Sequence, residues 1–542
     1  MPPDRDTGQA SAERSRDSPQ GAGWDCTPGT YKDVMLKELN DFLPTQRWKR
    51  HRSWLNRMRH FSWLKPLTWW QSRNDVIAHL ICDPVNQERR RWVEAQQRRQ
   101  GLSDDFIINR SELESVKLIV LGDTGEGDES QWALVPPLQR YWQDTQFMVI
   151  CSDVIYPAGD VNEYLQKFCI PYRRYQNPIY AVPGNHDWDD GNLNGFMVHF
   201  CDAEEPSSEL PPGSSWILRH LWRRPDKPDQ ESLEYCRSIR PKLNAHELDP
   251  RLKQPGPYFA IDTGPLRIVG IDTGITGELD QEQGEWLRRV SSSSPKPKIL
   301  LTGKPIYVDN EYHPGIIEGS RSTVDDIVRK PEHRYVAAIG GDIHNYQRYP
   351  VRVGNRTIQY IVSGGGGAYM SDTHRIPKVD VKAPYADVER VNEDQFRCYP
   401  LRGDSLSVYS RVIDRRFFFG LGLVYIPPDE AAALMGKRLG IDPTRLTAQR
   451  SKPPSRREKL VAKLPFLRTP DRFRGRRLLA PFFYPFFSEV FDWDDPPFFK
   501  NFLRLEATSS ELTITCYGVT GCAEHEKNPP KEDHIKIPLN QF

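Results

Sequence analysis

The chain has 542 residues, 74 Lys/Arg against 73 Asp/Glu for a net charge of +1, and 38% hydrophobic residues. That length exceeds one ordinary core and predicts two or three structural units, and so small a net charge excludes a polyanionic partner held by bulk charge alone. No apolar run reaches the ~20 residues that cross a bilayer.

Residues 1–30 are polar and rich in Pro, Ser and Gly, which predicts a disordered tail without the apolar core of a secretion signal. The nine cysteines are scattered and form no C-x-x-C pair, which predicts reduced thiols. The expected location is therefore the cytoplasm, or its face of a membrane as a peripheral protein. Residues 31–114 read as a basic, Trp-rich helical extension, with helices expected over Lys32–Phe42 and Gln87–Gln100. Within it, Trp48–Trp70 interleaves arginines with tryptophans. Such a stretch either contacts nucleic acid or an anionic membrane surface, or packs its rings onto the main domain with the arginines in solvent.

From residue 115 the pattern changes to short β-rich runs that end in Gly, Asp or Asn. Strands are predicted at Val116–Leu121, Phe147–Cys151, Ile179–Val182, Tyr258–Asp262, Leu266–Ile271, Ile299–Thr302, Val336–Ile339 and Thr357–Val362. Gln131–Trp142 and Asn162–Tyr172 are long enough for intervening helices, and Glu204–Pro257 reads as a polar, proline-rich insertion. Strand, helix, strand with buried runs is the pattern of a layered α/β domain, placed here at residues 115–375. Residues 376–542 form a C-terminal region. It contains a basic arm at 445–477, an aromatic-rich stretch at Leu478–Phe491, and alternating runs at Phe502–Ala507 and Leu512–Tyr517 that would add strands to a sheet.

The chemistry sits where strands end. Val116–Leu121 delivers Gly122-Asp123-Thr124-Gly125, with Glu126 and Asp128 close behind; Phe147–Cys151 delivers Asp153 and Tyr156; Ile179–Val182 delivers Asn185-His186-Asp187; Ile299–Thr302 delivers Gly303-Lys304-Pro305; Val336–Ile339 delivers Asp342 and His344. Carboxylates that converge cannot all stay ionised without a cation. Carboxylate, imidazole, amide and phenol oxygens together suit Mn, Fe or Zn ions. One carboxylate can also bridge two ions ~3.5–4 Å apart, the spacing used in displacement at phosphorus.

In this order the five blocks resemble the calcineurin-like metallophosphoesterase superfamily, and within it the purple acid phosphatase pattern. The resemblance spans about Val116–Tyr369. It implies an α+β layered fold, a β-sandwich flanked by helices, with one or two Mn, Fe or Zn ions per chain at the strand ends. It implies Asp123 and His344 as first-metal ligands, Asp153 as the bridging carboxylate, Tyr156 as the tyrosine ligand and Asn185 as a second-metal ligand. Gly125 stands where many members have a histidine. His186, backed by Asp187, would stabilise or protonate the leaving oxygen. Two positions depart from the pattern: Gly303 and Lys304 replace a histidine of the second metal, and Asp342 replaces another. Asp342 would favour a harder, weakly held ion, or Lys304 would neutralise it; His313 is a more distant substitute ligand.

The function implied is a metal-dependent phosphoesterase that cleaves a phosphate ester or anhydride with metal-activated water. Its partner would be a phosphorylated small-molecule or macromolecular substrate. Two alternatives stand beside it: a catalytically degenerate fold that serves as a binding or scaffold module, and a phosphodiesterase steered to nucleic acid or anionic lipid by its basic segments.

Overall fold

The computed structural model describes residues 26–42, 65–100, 105–203, 220–239, 254–382, 384–440, 455–461, 463 and 496–540. Most of Trp48–Trp70, all of Leu478–Phe491 and the basic arm apart from 455–461 and 463 lie outside the described residues.

The central apolar runs fold as strands buried on both faces, and the strands at the sheet edges are more exposed. In chain order they are β1 (Ile107–Arg110), β2 (Val116–Leu121), β3 (Phe147–Cys151), β4 (Ile179–Val182), β5 (Phe259–Thr263), β6 (Arg267–Ile271), β7 (Lys298–Thr302), β8 (Tyr335–Gly340), β9 (Tyr346–Val353), β10 (Arg356–Ser363), β11 (Arg397–Tyr399), β12 (Lys500–Ala507), β13 (Glu511–Val519) and β14 (Lys531–Pro538). They form an eight-stranded sheet in the order β1-β5-β6-β7-β8-β10-β9-β11 and a six-stranded sheet in the order β14-β13-β12-β2-β3-β4.

Side chains that alternate along each strand fall into different cores. Val116, Leu118 and Val120 of β2 join Ile299 and Leu301 of β7 in a layer between the sheets. Their neighbours Ile119 and Leu121 pack under helices on the outer face of the six-stranded sheet, with Trp132 and Leu138. Leu300 of β7 points the other way, to Trp286 and Leu287 on the outer face of the eight-stranded sheet. The result is a helix–sheet–sheet–helix stack, which is why these strands read as unbroken hydrophobic runs. The C-terminal strand β12 pairs antiparallel with β2, Leu503 opposite Val120, so the last elements complete the sheet that carries the first motif.

The N-terminal helices belong to the same body. Among them, α1 spans Tyr31–Phe42, α2 spans Arg73–Leu80 and α3 spans Val85–Gln100. Arg89 of α3 is fully buried and pairs with Asp272 at 2.7 Å and Asp280 at 2.8 Å. An arginine can be buried this way only because two carboxylates compensate its charge.

Four expectations need correction. Cys26 and Cys522 form a disulfide with Cα atoms 5.3 Å apart, so the thiols are not all reduced and the cysteine argument for a reducing compartment fails. Beside that bond Gly29 N–H donates to Gly521 O, so residues 26–30 are pinned rather than part of a tail. The helix expected over Gln131–Trp142 is two, Glu129–Trp132 and Val135–Tyr141, because a proline near the second start lacks the N–H that would continue the first. Over Asn162–Tyr172 there is one π-helical turn, Leu165–Cys169. Among the described residues, no helix is long and apolar enough to cross a membrane.

Candidate metal centre

The carboxyl ends of β2, β3 and β4 lie side by side because these strands are parallel neighbours. β7 and β8 end together in the facing sheet for the same reason. The two edges are stitched where Asp342 N–H donates to Asp123 Oδ1 at 3.1 Å. Asp123, Ser152, Asp153 and Asp342 all have positive φ, of 57°, 80°, 21° and 66°. Four non-glycine residues in that region cost conformational energy, and such strain gathers at functional sites.

The chain therefore brings Asp123, Asp153, Tyr156 and His344 into one buried knot around the Tyr156 hydroxyl. That oxygen lies 2.9 Å from Asp153 Oδ2, 3.2 Å from Asp123 Oδ1 and 2.9 Å from His344 Nε2. His344 Nδ1 donates to Tyr369 O at 2.9 Å, so Nε2 carries the ring's lone pair. One phenolic proton thus faces three acceptors. Asp123 Oδ2 is buried with no hydrogen-bond partner. Burial, with Asp153 and Asp342 nearby, pushes the Asp123 carboxyl well above its ordinary range. Burial likewise drives His344 down to about 3, helped by Lys500 and His186, so its imidazole is neutral. At Gly125, an added Cβ would stand 1.9 Å from Val154 O, so the histidine found there in many family members has no room in this loop.

Beyond the knot, on its more open side, stand His186, Asn185, Lys304 and Asp342. His186 N–H donates to Asp153 Oδ1 at 2.8 Å, and its Nδ1 lies 2.9 Å from Pro157 O and 3.3 Å from Asp189 Oδ2. Burial opposes the imidazolium, but Asp153, Asp189 and Asp75 outweigh it and raise His186 to about 10. The carboxylate beside the imidazole is thus Asp189. Asp187 instead accepts backbone N–H bonds from Val154, Ile155 and Gly184 at 3.0–3.3 Å, holding two loops together. Asn185 Nδ2 donates to Asp75 Oδ1 at 3.3 Å. Asp75, on α2 of the N-terminal extension, enters the site with no motif to announce it.

Lys304 Nζ donates to Asp342 Oδ1 at 2.9 Å. Burial works against both charges, yet the pair holds Asp342 below and Lys304 above their ordinary values. His313 is exposed and lies 3.7 Å from Glu311, apart from this cluster. Asp128 caps the helix that starts at Glu129, and so does not face the knot.

The knot suits a cation on chemical grounds. Three oxygens and one imidazole nitrogen, with a buried carboxylate oxygen lacking a donor, would suit a divalent or trivalent metal ion. The second position is less suited, because an ammonium already compensates Asp342.

Residues 116–346 match the family model described as calcineurin-like phosphoesterase. No curated protein matches the chain in sequence. Among solved structures, the chain is similar to a purple acid phosphatase from yellow lupin (Lupinus luteus) seeds, at 12% identity, a TM-score of 0.35, 78% of this chain and 54% of that one. It therefore spans about half the length of that protein. It is also similar to PhoD, at 10% identity, a TM-score of 0.31 and 78% and 72% coverage. A third is GAP50 of Plasmodium, described as the anchor in the inner membrane complex, at 11% identity, a TM-score of 0.26 and 52% and 80% coverage. Calcineurin-like phosphoesterases use divalent or trivalent metals, and residues 116–346, the stretch that this chain shares with their family model, carry all five strand-end blocks.

Proposed function

We propose that the chain hydrolyses a phosphate ester or anhydride, with Asp123, Asp153, Tyr156 and His344 holding a metal ion. The observation that carries this reading is the crowding of three acceptors around the single Tyr156 hydroxyl, beside the unpartnered Asp123 Oδ2. When bound, the ion would supply Lewis-acid stabilisation at phosphorus and activate water as a nucleophile. The other roles fall to the chain's own residues. Asp153 orients the loop of His186 by accepting its N–H. His186, kept charged by Asp153 and Asp189, holds a proton for the leaving oxygen on its outer nitrogen. Asp187 acts one step away, as the backbone clamp of the Asp153 loop. Asn185 and Asp342 would contribute to any second ion, with Lys304 supplying part of its charge instead.

The test is hydrolysis of chromogenic phosphate monoesters and diesters by full-length protein supplied with Mn²⁺, Fe or Zn²⁺. Asp153→Asn should lose bound metal and at least 100-fold in rate, and His186→Ala about 10²–10⁴-fold with metal retained. Wild-type protein that holds metal yet hydrolyses no substrate class would overturn the proposal. A scaffold role is the second reading, favoured by the Lys304–Asp342 pair at the second position. It would be upheld by that same outcome.

A further inference from the structure

Behind the Asp153–Tyr156 loop lies a second group of ligating side chains that the phosphoesterase motifs do not include. Cys169 ends the π-helical turn Leu165–Cys169, His199 lies on the helix Asn194–Cys201, and Cys236 lies on the helix Gln230–Ile239. One donor atom from each lies within 4.8 Å of the others, and all three residues are buried. His199 Nε2 sits 3.0 Å from Val161 O. A carbonyl only accepts, so Nε2 bears the N–H and Nδ1 carries the lone pair. Metal-bound imidazoles are oriented in this manner, with the far nitrogen donating to a backbone carbonyl. The ring is held further by stacking on Tyr164, centroids 4.3 Å apart at 12°. Neither cysteine is part of a disulfide, although the same chain does form one between Cys26 and Cys522. Two thiols and a preset imidazole from three separate elements therefore stand together, all buried.

We propose that Cys169, His199 and Cys236 bind one thiophilic d¹⁰ cation, Zn²⁺ or Cu⁺, at a structural site apart from the phosphoesterase centre. Two thiolates and one imidazole are soft to borderline donors, which select these ions over Mg²⁺, Ca²⁺ or Mn²⁺. Cu⁺ is satisfied by three such donors, whereas Zn²⁺ takes a fourth. Binding replaces two S–H protons, which leave to solvent as the ion enters. The site would fasten the helix Gln230–Ile239, from the segment between β4 and β5, to the turn that supports the catalytic loop. Lys167, two residues before Cys169, donates to Tyr156 O.

The experiment uses full-length protein purified without chelator, followed by elemental analysis of wild type, Cys169→Ser/Cys236→Ser and Asp153→Asn. Wild type and Asp153→Asn should each retain one equivalent of zinc or copper that the double serine variant loses. Zn²⁺ is distinguished by replacement with Co²⁺, which should give a thiolate-to-cobalt charge-transfer band in wild type; Cu⁺ is distinguished by its release to a Cu⁺-selective chelator. Alkylation of wild-type protein, read by peptide mass, serves if the double variant does not fold. Cys169 and Cys236 should be protected with metal and react after chelation. Equal alkylation with and without metal, a Cys169–Cys236 disulfide in the purified protein, or unchanged zinc and copper in a folded double variant would each overturn the proposal. None of these readouts depends on phosphoesterase activity.

Discussion

Replacing Lys304 by Met removes one ammonium from the candidate metal centre and leaves most of the side-chain stem in place. Nζ lies 2.9 Å from Asp342 Oδ1, and the two side chains are 27% and 23% exposed. At that distance and an effective dielectric near 20 the gross attraction is about 6 kcal/mol. Desolvation and partial screening consume most of it, so the net contribution is ~1–2 kcal/mol. In chelator, Lys304→Met should therefore unfold in urea with a stability ~1–2 kcal/mol below wild type. Asp342 would then stand uncompensated near Asp123 and Asp153, which invites a cation. With Mn²⁺ or Zn²⁺ present the deficit should close, because ligand at 100 times its Kd stabilises by about 2.7 kcal/mol. Metal content should rise toward a second equivalent. Lys304→Arg keeps the charge and should do neither. A Met variant as stable as wild type in chelator, taking up no extra metal, would refute the reasoning. Gly303 is no route to the same end: a Cβ there would lie 2.8 Å from both Pro183 O and Thr273 Oγ1, so an imidazole would displace backbone.

Asp187→Asn sets an amide N–H₂ against backbone donors of Val154, Ile155 and Gly184, and should cost ~1–3 kcal/mol in urea unfolding; a stability equal to wild type would argue against the clamp. Cys26→Ser should lower stability by ~2–4 kcal/mol, and reductant should destabilise wild type but not the variant. Burial drives His374 down to about 4, outweighing Asp372 3.3 Å from its Nε2. The unfolded chain then takes the proton first as pH falls from ~6.5 toward 4, so stability is lost over that window at up to ~1.4 kcal/mol per pH unit. His374→Gln should remove that part of the slope, which urea unfolding between pH 4 and 7 will measure.

The sequence by itself determined the central strands and the residues at their ends, but not Ile107–Arg110, Tyr346–Val353, Arg397–Tyr399 or Lys531–Pro538. Runs such as Val116–Leu121 and Phe147–Cys151 are apolar at every position because helices and a second sheet bury both faces, so their bounds are legible without coordinates. The partner of His186 was misread: the sequence pointed to its neighbour Asp187, whereas the turn Asn185–Trp188 puts Asp189, three residues on, upon the same side. Only the tertiary structure decided the rest, because contacts between distant segments leave no periodic trace in a chain. Asp75 reaches Asn185 from a helix far upstream, Cys26 meets Cys522 across nearly the whole sequence, and Cys169, His199 and Cys236 come together from three elements with no shared motif. Local pattern sets which residues a strand end presents; packing of the layers sets which of them meet, and with what charge between them.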